Sequence, residues 1–178
     1  MNIESSHVVR KMQATDLEMV LHWRNHDQVR QYMFNPAKIE LSEHALWFQK
    51  ASEDKSRHLL IYEENKEPMG FAHLHQLNEG GVMDWGFYKN PDAPKGVGIS
   101  LGKTVLDYAF VKAGAYKICG DVIATNAASV IFHTRLGFVR EGELRDQHFD
   151  GLSYQNVVSF GLLKKEWLQR ALMPQELA

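Results

Sequence analysis

The period of the apolar positions changes along the chain, and each change marks an element. Val8 to Met12 starts with β-branched residues and predicts a first strand. Thr15 or Asp16 stands where a helix cap is expected, and Leu17, Val20, Leu21 and Trp23 then recur at helical spacing. A second short turn over Gln28 to Met33 stops at Asn35-Pro36. Ser42 opens another helix through Ala45, Leu46 and Trp47, with Leu41 placed as a staple residue. His58 to Glu63, Met69 to Leu77 and Val82 to Tyr88 read as a three-strand meander. Leu101, Val105, Tyr108 and Ala109 lay an apolar stripe along a helix from Gly98 to Ala113, ended by Gly114. Tyr116 to Ile123 predicts a buried strand, and Thr125 or Asn126 caps a helix that runs to Leu136 and stops at Gly137. Phe138 to Leu144 and Tyr154 to Leu163 pair across an Asp150-Gly151 turn, and Lys164 to Met173 forms an amphipathic tail. The order β–α–α–β–β–β–α–β–α–β–β predicts an α/β (mixed α+β) fold with helices on both faces of one sheet. No linker interrupts it, so residues 1–178 are expected to form one domain.

Composition narrows the partners. Apolar residues make up 44% and charged residues 24%, ordinary values for a chain with a packed core. A formal net charge of −2 argues against broad nucleic-acid binding, which needs a basic surface. Cys119 is the single cysteine, so no internal disulfide forms and a reducing compartment is expected. No apolar run approaches a membrane span or a signal-peptide core, so a cytoplasmic location without a membrane partner is expected.

The chemistry gathers around Pro94-Lys95-Gly96-Val97-Gly98-Ile99-Ser100-Leu101-Gly102-Lys103-Thr104. A glycine turn feeding a helix offers free N–H groups and a positive dipole end to a phosphate. The dinucleotide fingerprint fails, because the third glycine falls one place late at Gly102. A nucleotide-kinase P-loop has its ending in Gly102-Lys103-Thr104, but Val97 stands where its first glycine belongs. The third pattern, basic-x-x-Gly-x-(Gly/Ala), fits Lys95 to Ser100 with Ser in the last small position. A glycine-containing helix start without a ligand has the same local sequence.

That turn, its helix, a strand and then Asn126-Ala127-Ala128-Ser129-Val130-Ile131-Phe132-His133-Thr134-Arg135-Leu136-Gly137-Phe138 together resemble the GNAT superfamily of N-acetyltransferases. The resemblance implies a mostly antiparallel sheet splayed at an acetyl-CoA site. Acetyl-CoA is then the co-substrate, with its pyrophosphate on Lys95, Gly96, Val97, Gly98 and Ser100. Asn126 and Ser129 sit in the second block, and the acetyl oxygen lies near the N–H groups of Phe87 and Tyr88. Trp23-Arg24-Asn25-His26, Met33, Glu43 to Phe48 and Gly86 to Pro91 also resemble a narrower group. These are the UDP-4-amino-sugar N-acetyltransferases of pseudaminic acid biosynthesis, which serve flagellin glycosylation. Ribosomal-protein N-acetyltransferases share the Trp-Arg-Asn element, so a protein N-terminus is an alternative acceptor.

The remaining candidates follow from what amide formation needs: a neutral amine, a polarised carbonyl and a proton for the leaving thiolate. Family members carry Tyr seven places after the motif Asn, where this chain has His133, which can also donate a proton. The missing Tyr leaves open a non-catalytic acyl-CoA-binding module. His73 with Asp121 is the expected base, since a His with a carboxylate partner can deprotonate an ammonium. His73 and His75 have ligand-like spacing, but without a further Cys or His pair no metal is expected. The family resemblance further implies that the two N-terminal helices, with Arg24, His44 and Trp47, wall the acceptor side, Arg suiting a diphosphate and Trp a base or sugar face. The expected partner is a small nucleotide-sugar acceptor, and a homodimer is compatible with all of this.

Overall fold

The computed structural model describes residues 6–172. Its elements are β1 (His7–Lys11), α1 (Leu17–Asn25), α2 (Asp27–Arg30), α3 (Leu41–Glu53), β2 (Arg57–Glu64), β3 (Glu67–Gln76), β4 (Val82–Lys89), α4 (Val97–Asp107), β5 (Lys117–Ile123), α5 (Ala127–Leu136), β6 (Val139–Phe149), β7 (Tyr154–Leu163) and α6 (Lys164–Leu172). Seven strands form one sheet in the order β1-β2-β3-β4-β5-β7-β6. Every neighbouring pair is antiparallel except β4 with β5. The expected mixed α/β architecture is therefore present. Met173, the last residue of the expected tail, lies outside the described residues.

Period-two alternation sorts the strands into two cores. On one face Leu60, Ala72, Leu74, Trp85, Ile118, Val122 and Phe160 pack with Leu101, Val105 and Ala109 of α4. On the other, Leu59, Ile61 and Phe71 pack with Val20 and Trp23 of α1 and Ala51 of α3. Leu101 and Val105 are fully buried, which is worth about 1.5–3 kcal/mol for each side chain. This anchoring aims the N-terminus of α4 at the end of β4.

Three local features depart from the sequence pattern. The helix expected to Ala113 keeps its α-helical form to Asp107 and then widens to a π-turn over Tyr108–Lys112, where the Tyr108 hydroxyl meets His58 Nδ1 at 3.1 Å. Gly102 is a packing glycine, since a Cβ there would meet Leu136 Cδ1 at 2.6 Å and Phe132 Cζ at 2.7 Å. Thr104 donates its hydroxyl to the Ser100 carbonyl at 2.8 Å. The P-loop-like ending is thus the α4–α5 contact. Finally, β6 runs five residues past the expected Leu144 to Phe149, with its register shifting at Arg140/Gly142 and Leu144/His148 and Asp146 at φ +52°.

Candidate active site

The one parallel strand pair is also the shortest. β4 and β5 pair only as Val82–Lys117, Met83–Ile118 and Asp84–Cys119. Beyond Asp84 and Cys119 the strands part, and a wedge opens toward their C-terminal ends. Leu77 N–H donates to the Val82 carbonyl and Asn90 N–H to that of Met69, both at 2.8 Å. That alternation turns the backbone of Gly86 and Tyr88 toward β3, and leaves the Trp85 carbonyl and the N–H and C=O groups of Phe87 and Lys89 facing the wedge. On β5, Ala124 N–H donates to Asn156 and its partner strand receives the even-numbered residues, so Asp121 and Ile123 face the wedge. Unpaired strand backbone is a template for an extended, amide-containing ligand. Of the expected pair Phe87 and Tyr88, Phe87 presents its N–H; that of Tyr88 belongs to the β3 ladder.

The glycine turn stands at the open end of this wedge. Gly96 caps α4 at φ +96°, a conformation that favours glycine. A Cβ built on Gly96 or Gly98 meets nothing within 4 Å, so the turn is an open cradle beside exposed Lys95. Val97 and Gly98 carry first-turn N–H groups that have no acceptor within the helix, while the Val97 side chain is buried in the core. Ser100 contributes less than expected: its N–H reaches the Gly96 carbonyl at 3.3 Å and its side chain bonds the Tyr62 hydroxyl. Asn126 caps α5 by accepting from Ser129 N–H at 3.1 Å, so both residues hold that helix in place.

His133 is a buried histidine with both ring nitrogens engaged. Nδ1 lies 2.8 Å from the Ser129 carbonyl oxygen, which can only accept, so Nδ1 carries the proton. Nε2 then accepts from the Trp85 indole N–H at 3.2 Å. Phe132, Phe138 and Phe160 surround the ring, and burial lowers its pKa. This arrangement leaves no proton free for a thiolate, which speaks against the expected acid role.

The opposite face of the wedge is wet. Across the β3–β4 register His73 lies over Gly86, where a Cβ would fall 2.4 Å from the imidazole Cε1. Burial lowers the pKa of His73, the Asp84 charge raises it, and Arg57 and His75 lower it again. Asp84 sits at the apex of the wedge with His75 Nδ1 3.4 Å from its Oδ1, an atom that is buried without a hydrogen bond. Asp121 stands across the wedge and accepts from Ser159 Oγ at 2.7 Å. Asp84 is thus the carboxylate whose charge reaches His73, whereas Asp121, the expected partner, is bonded to Ser159. An alanine at Gly86 is expected to displace the imidazole and lower kcat/KM about 10²-fold, the usual cost of a misplaced reacting group. Retained acetyl-CoA affinity would separate this from unfolding, and full activity would exclude His73 from the reaction.

Arg24, His44, Trp47 and Tyr88 form a second cluster between α1, α3 and β4. Arg24 donates Nη2 to the Asn35 carbonyl at 2.6 Å, while its Nη1 is buried with no partner. His44, 4% exposed, stacks on Trp47 at 5.0 Å and leaves Nε2 equally buried and unpartnered. Trp47 in turn meets Phe71 edge-on at 6.1 Å. Burial lowers the pKa of both Arg24 and His44, and raises that of Tyr88 despite the guanidinium beside it.

The family model of the acetyltransferase (GNAT) domain matches residues 7–139, spanning β1 through α5 and therefore both walls of the wedge. The chain belongs to the GNAT acetyltransferase family. It is an N-acetyltransferase, and acetyl-CoA is its co-substrate. The spermidine N(1)-acetyltransferase of Escherichia coli K12 is 26% identical over 96% of this chain and 94% of its own. The counterpart from Vibrio cholerae is 24% identical over 95% and 99%. The crystal structure of the Vibrio cholerae spermidine N-acetyltransferase with CoA and spermine superposes with a TM-score of 0.84 at 23% identity, covering 91% of this chain and 98% of that one. These relatives are named for a polyamine, whereas the narrower sequence resemblance pointed to nucleotide sugars.

The open cradle and the unpaired backbone fit acetyl-CoA. Lys95, Gly96, Val97 and Gly98 would hold its pyrophosphate, and Phe87 its acyl carbonyl. Among the described residues, no group of three His, Cys, Asp or Glu is placed to hold a metal ion, and no helix is long and apolar enough to cross a membrane. Gly120 was not singled out from the sequence, although a lone strand glycine signals close approach of another group.

Four partly or fully buried histidines of this acetyltransferase, His44, His58, His73 and His133, have pKa values lowered below 6.5 by burial. Once unfolded they titrate near 6.5, so below that pH the unfolded chain binds more protons than the folded one. Stability is thus expected to be full above pH 6.5 and to fall as pH drops toward the folded-state values. Thermal melts at pH 7.5 and pH 5.5 check this, and an unchanged or higher Tm at pH 5.5 would refute it.

Proposed function

We propose that this acetyltransferase acts on the amine of an anionic small molecule, a UDP-linked 4-amino-4,6-dideoxy sugar, by direct attack on the thioester. One observation carries the reading: Arg24 Nη1 and His44 Nε2 are both buried without a hydrogen-bond partner. Buried polar groups in folded proteins are almost always satisfied, and an Arg with an open N–H fits a phosphate oxygen. A polyamine, itself cationic, gains nothing from a guanidinium. Half-buried Trp47, backed edge-on by the core residue Phe71, adds an aromatic face for a sugar or base.

Bound acetyl-CoA supplies the activated acetyl group. The Phe87 N–H polarises its carbonyl, while Arg24 and His44 hold the acceptor's phosphates. His73, neutral at pH 7, takes the proton from the ammonium, and Asp84 stabilises the imidazolium that results. A C–N bond forms, the C–S bond breaks, the sulfur departs as thiolate, and the second proton shed by the new amide nitrogen passes to that thiolate or to solvent. A thiolate whose parent thiol has a pKa near ~8.5 leaves without a dedicated acid, consistent with the locked tautomer of His133.

A second reading, acetylation of a polyamine, is favoured by the names of the relatives and by Asp84 and Asp121 on the wet face. Thiol release from acetyl-CoA with a UDP-amino sugar, with spermidine and with an N-terminal peptide separates the acceptors. Turnover with the sugar nucleotide supports the proposal; turnover with spermidine alone overturns it.

A further inference from the structure

We propose that Trp85 and His133 form a stop at the apex of the wedge that limits the transferred acyl group to two carbons. The inference rests on acetyl-CoA as co-substrate and is independent of the acceptor. The phosphate cradle at Gly96–Gly98 lies beyond the C-terminal end of β4, so the co-substrate enters with its acyl end leading toward the apex. The last paired residues there are Asp84 and Cys119, and the next two are Trp85 and Gly120. A Cβ on Gly120 would lie 2.8 Å from Trp85 Nε1 and 2.9 Å from His133 Nε2. The space above Gly120 is therefore filled by the indole and imidazole themselves.

Geometry sets the length. Phe87, which offers its N–H to the acyl carbonyl, is two residues from Trp85, or about 6.6 Å of strand at ~3.3 Å per residue. A carbon–carbon bond of ~1.5 Å and a contact of ~4 Å use nearly all of it. One methyl fits, and a further methylene meets the rings.

The stop is rigid. Trp85 is 6% exposed and His133 3% exposed. Trp85 stacks on Phe138 at 5.2 Å, and His133 stacks on Phe160 at 5.0 Å. Swinging either ring aside breaks the 3.2 Å indole–imidazole bond and strands a buried polar group.

The test compares acetyl-, propionyl- and butyryl-CoA, first by calorimetric binding and then by turnover with whichever acceptor is found. The wild type is expected to lose about 10–200-fold for the first added methylene. Trp85→Leu and His133→Ala, checked for folding by their melting transitions and for CoA affinity, are each expected to raise the propionyl/acetyl ratio at least ~10-fold. Butyryl-CoA accepted by the wild type as readily as acetyl-CoA would overturn the stop, and this arm decides the matter even if neither variant folds. A wild-type ratio retained in a folded variant would overturn it equally. Failure to bind acetyl-CoA itself would instead count against the co-substrate, while failure of every acceptor leaves the binding comparison intact.

Discussion

Replacing Arg24 with Met is expected to raise the KM for a UDP-amino sugar about 100-fold while kcat stays within a few-fold. Met keeps the apolar stem that packs between α1 and α3 and removes the guanidinium. A hydrogen bond to a charged group contributes about 1.5–3 kcal/mol. Two such bonds from the open Nη1 to a diphosphate come to about 3 kcal/mol at the lower end, or roughly two powers of ten, and the bond to the Asn35 carbonyl, lost from free and bound enzyme alike, does not enter KM. The loss belongs in KM because the diphosphate is held equally before and during acyl transfer. Arg24→Lys should recover part of it, since an ammonium keeps the charge but not the fork. Steady-state kinetics with acceptor varied at saturating acetyl-CoA measures the effect. If Arg24→Met leaves KM for the nucleotide sugar unchanged, or weakens spermidine equally, the anionic-acceptor reading fails.

Changing His73 to Gln should lower kcat about 10²–10⁴-fold, the usual contribution of a positioned base. The pH profile makes the assignment specific. Burial holds the His73 pKa below 6.5, so the acidic limb of kcat/KM should lie below that value and activity should fall as pH drops through it. The Asp84 charge raises that pKa, so Asp84→Asn should move the limb to still lower pH while reducing the rate. Asp121 is bonded to Ser159 across the wedge, and Asp121→Asn should leave the limb where it is. A limb that moves with Asp121 and not with Asp84 would restore the pairing expected from the sequence. A limb unmoved by either would remove His73 from the proton transfer.

Much of the frame could be read directly because local chemistry specified it. Gly114 and Gly137 stand at φ +76° and +91°, conformations that other residues rarely adopt, so each marked its helix end. Leu101, Val105 and Ala109 repeat on one helical face and are all fully buried. The long β6 was harder to see. Its residues are exposed on both sides, so nothing in its pattern alternated between core and water, and its bulges broke what period there was.

The site residues divided along a similar line. Lys95 to Gly98 could be placed because a phosphate turn is local, made of consecutive backbone groups. Ser100 could not, since whether its hydroxyl faces a ligand or Tyr62 depends on a strand 38 positions away in the chain. His133 carried the same limitation more sharply. Its place in the motif suggested an acid, but its state is fixed by the Trp85 indole and the Ser129 carbonyl, partners that only folding supplies.

By itself, then, the sequence determined the order of elements, the mixed sheet, the phosphate turn and the membership that these imply, all of which follow from periodicity and short-range backbone geometry. Tertiary structure alone decided which side chains meet. Parallel pairing that ends at Asp84–Cys119 opens the wedge, the β3–β4 register puts His73 over Gly86, and two packed helices leave Arg24 Nη1 and His44 Nε2 buried without hydrogen-bond partners. The physical reason is that protonation state, desolvation and hydrogen-bond satisfaction are properties of surroundings, and those surroundings come from residues far apart in the chain.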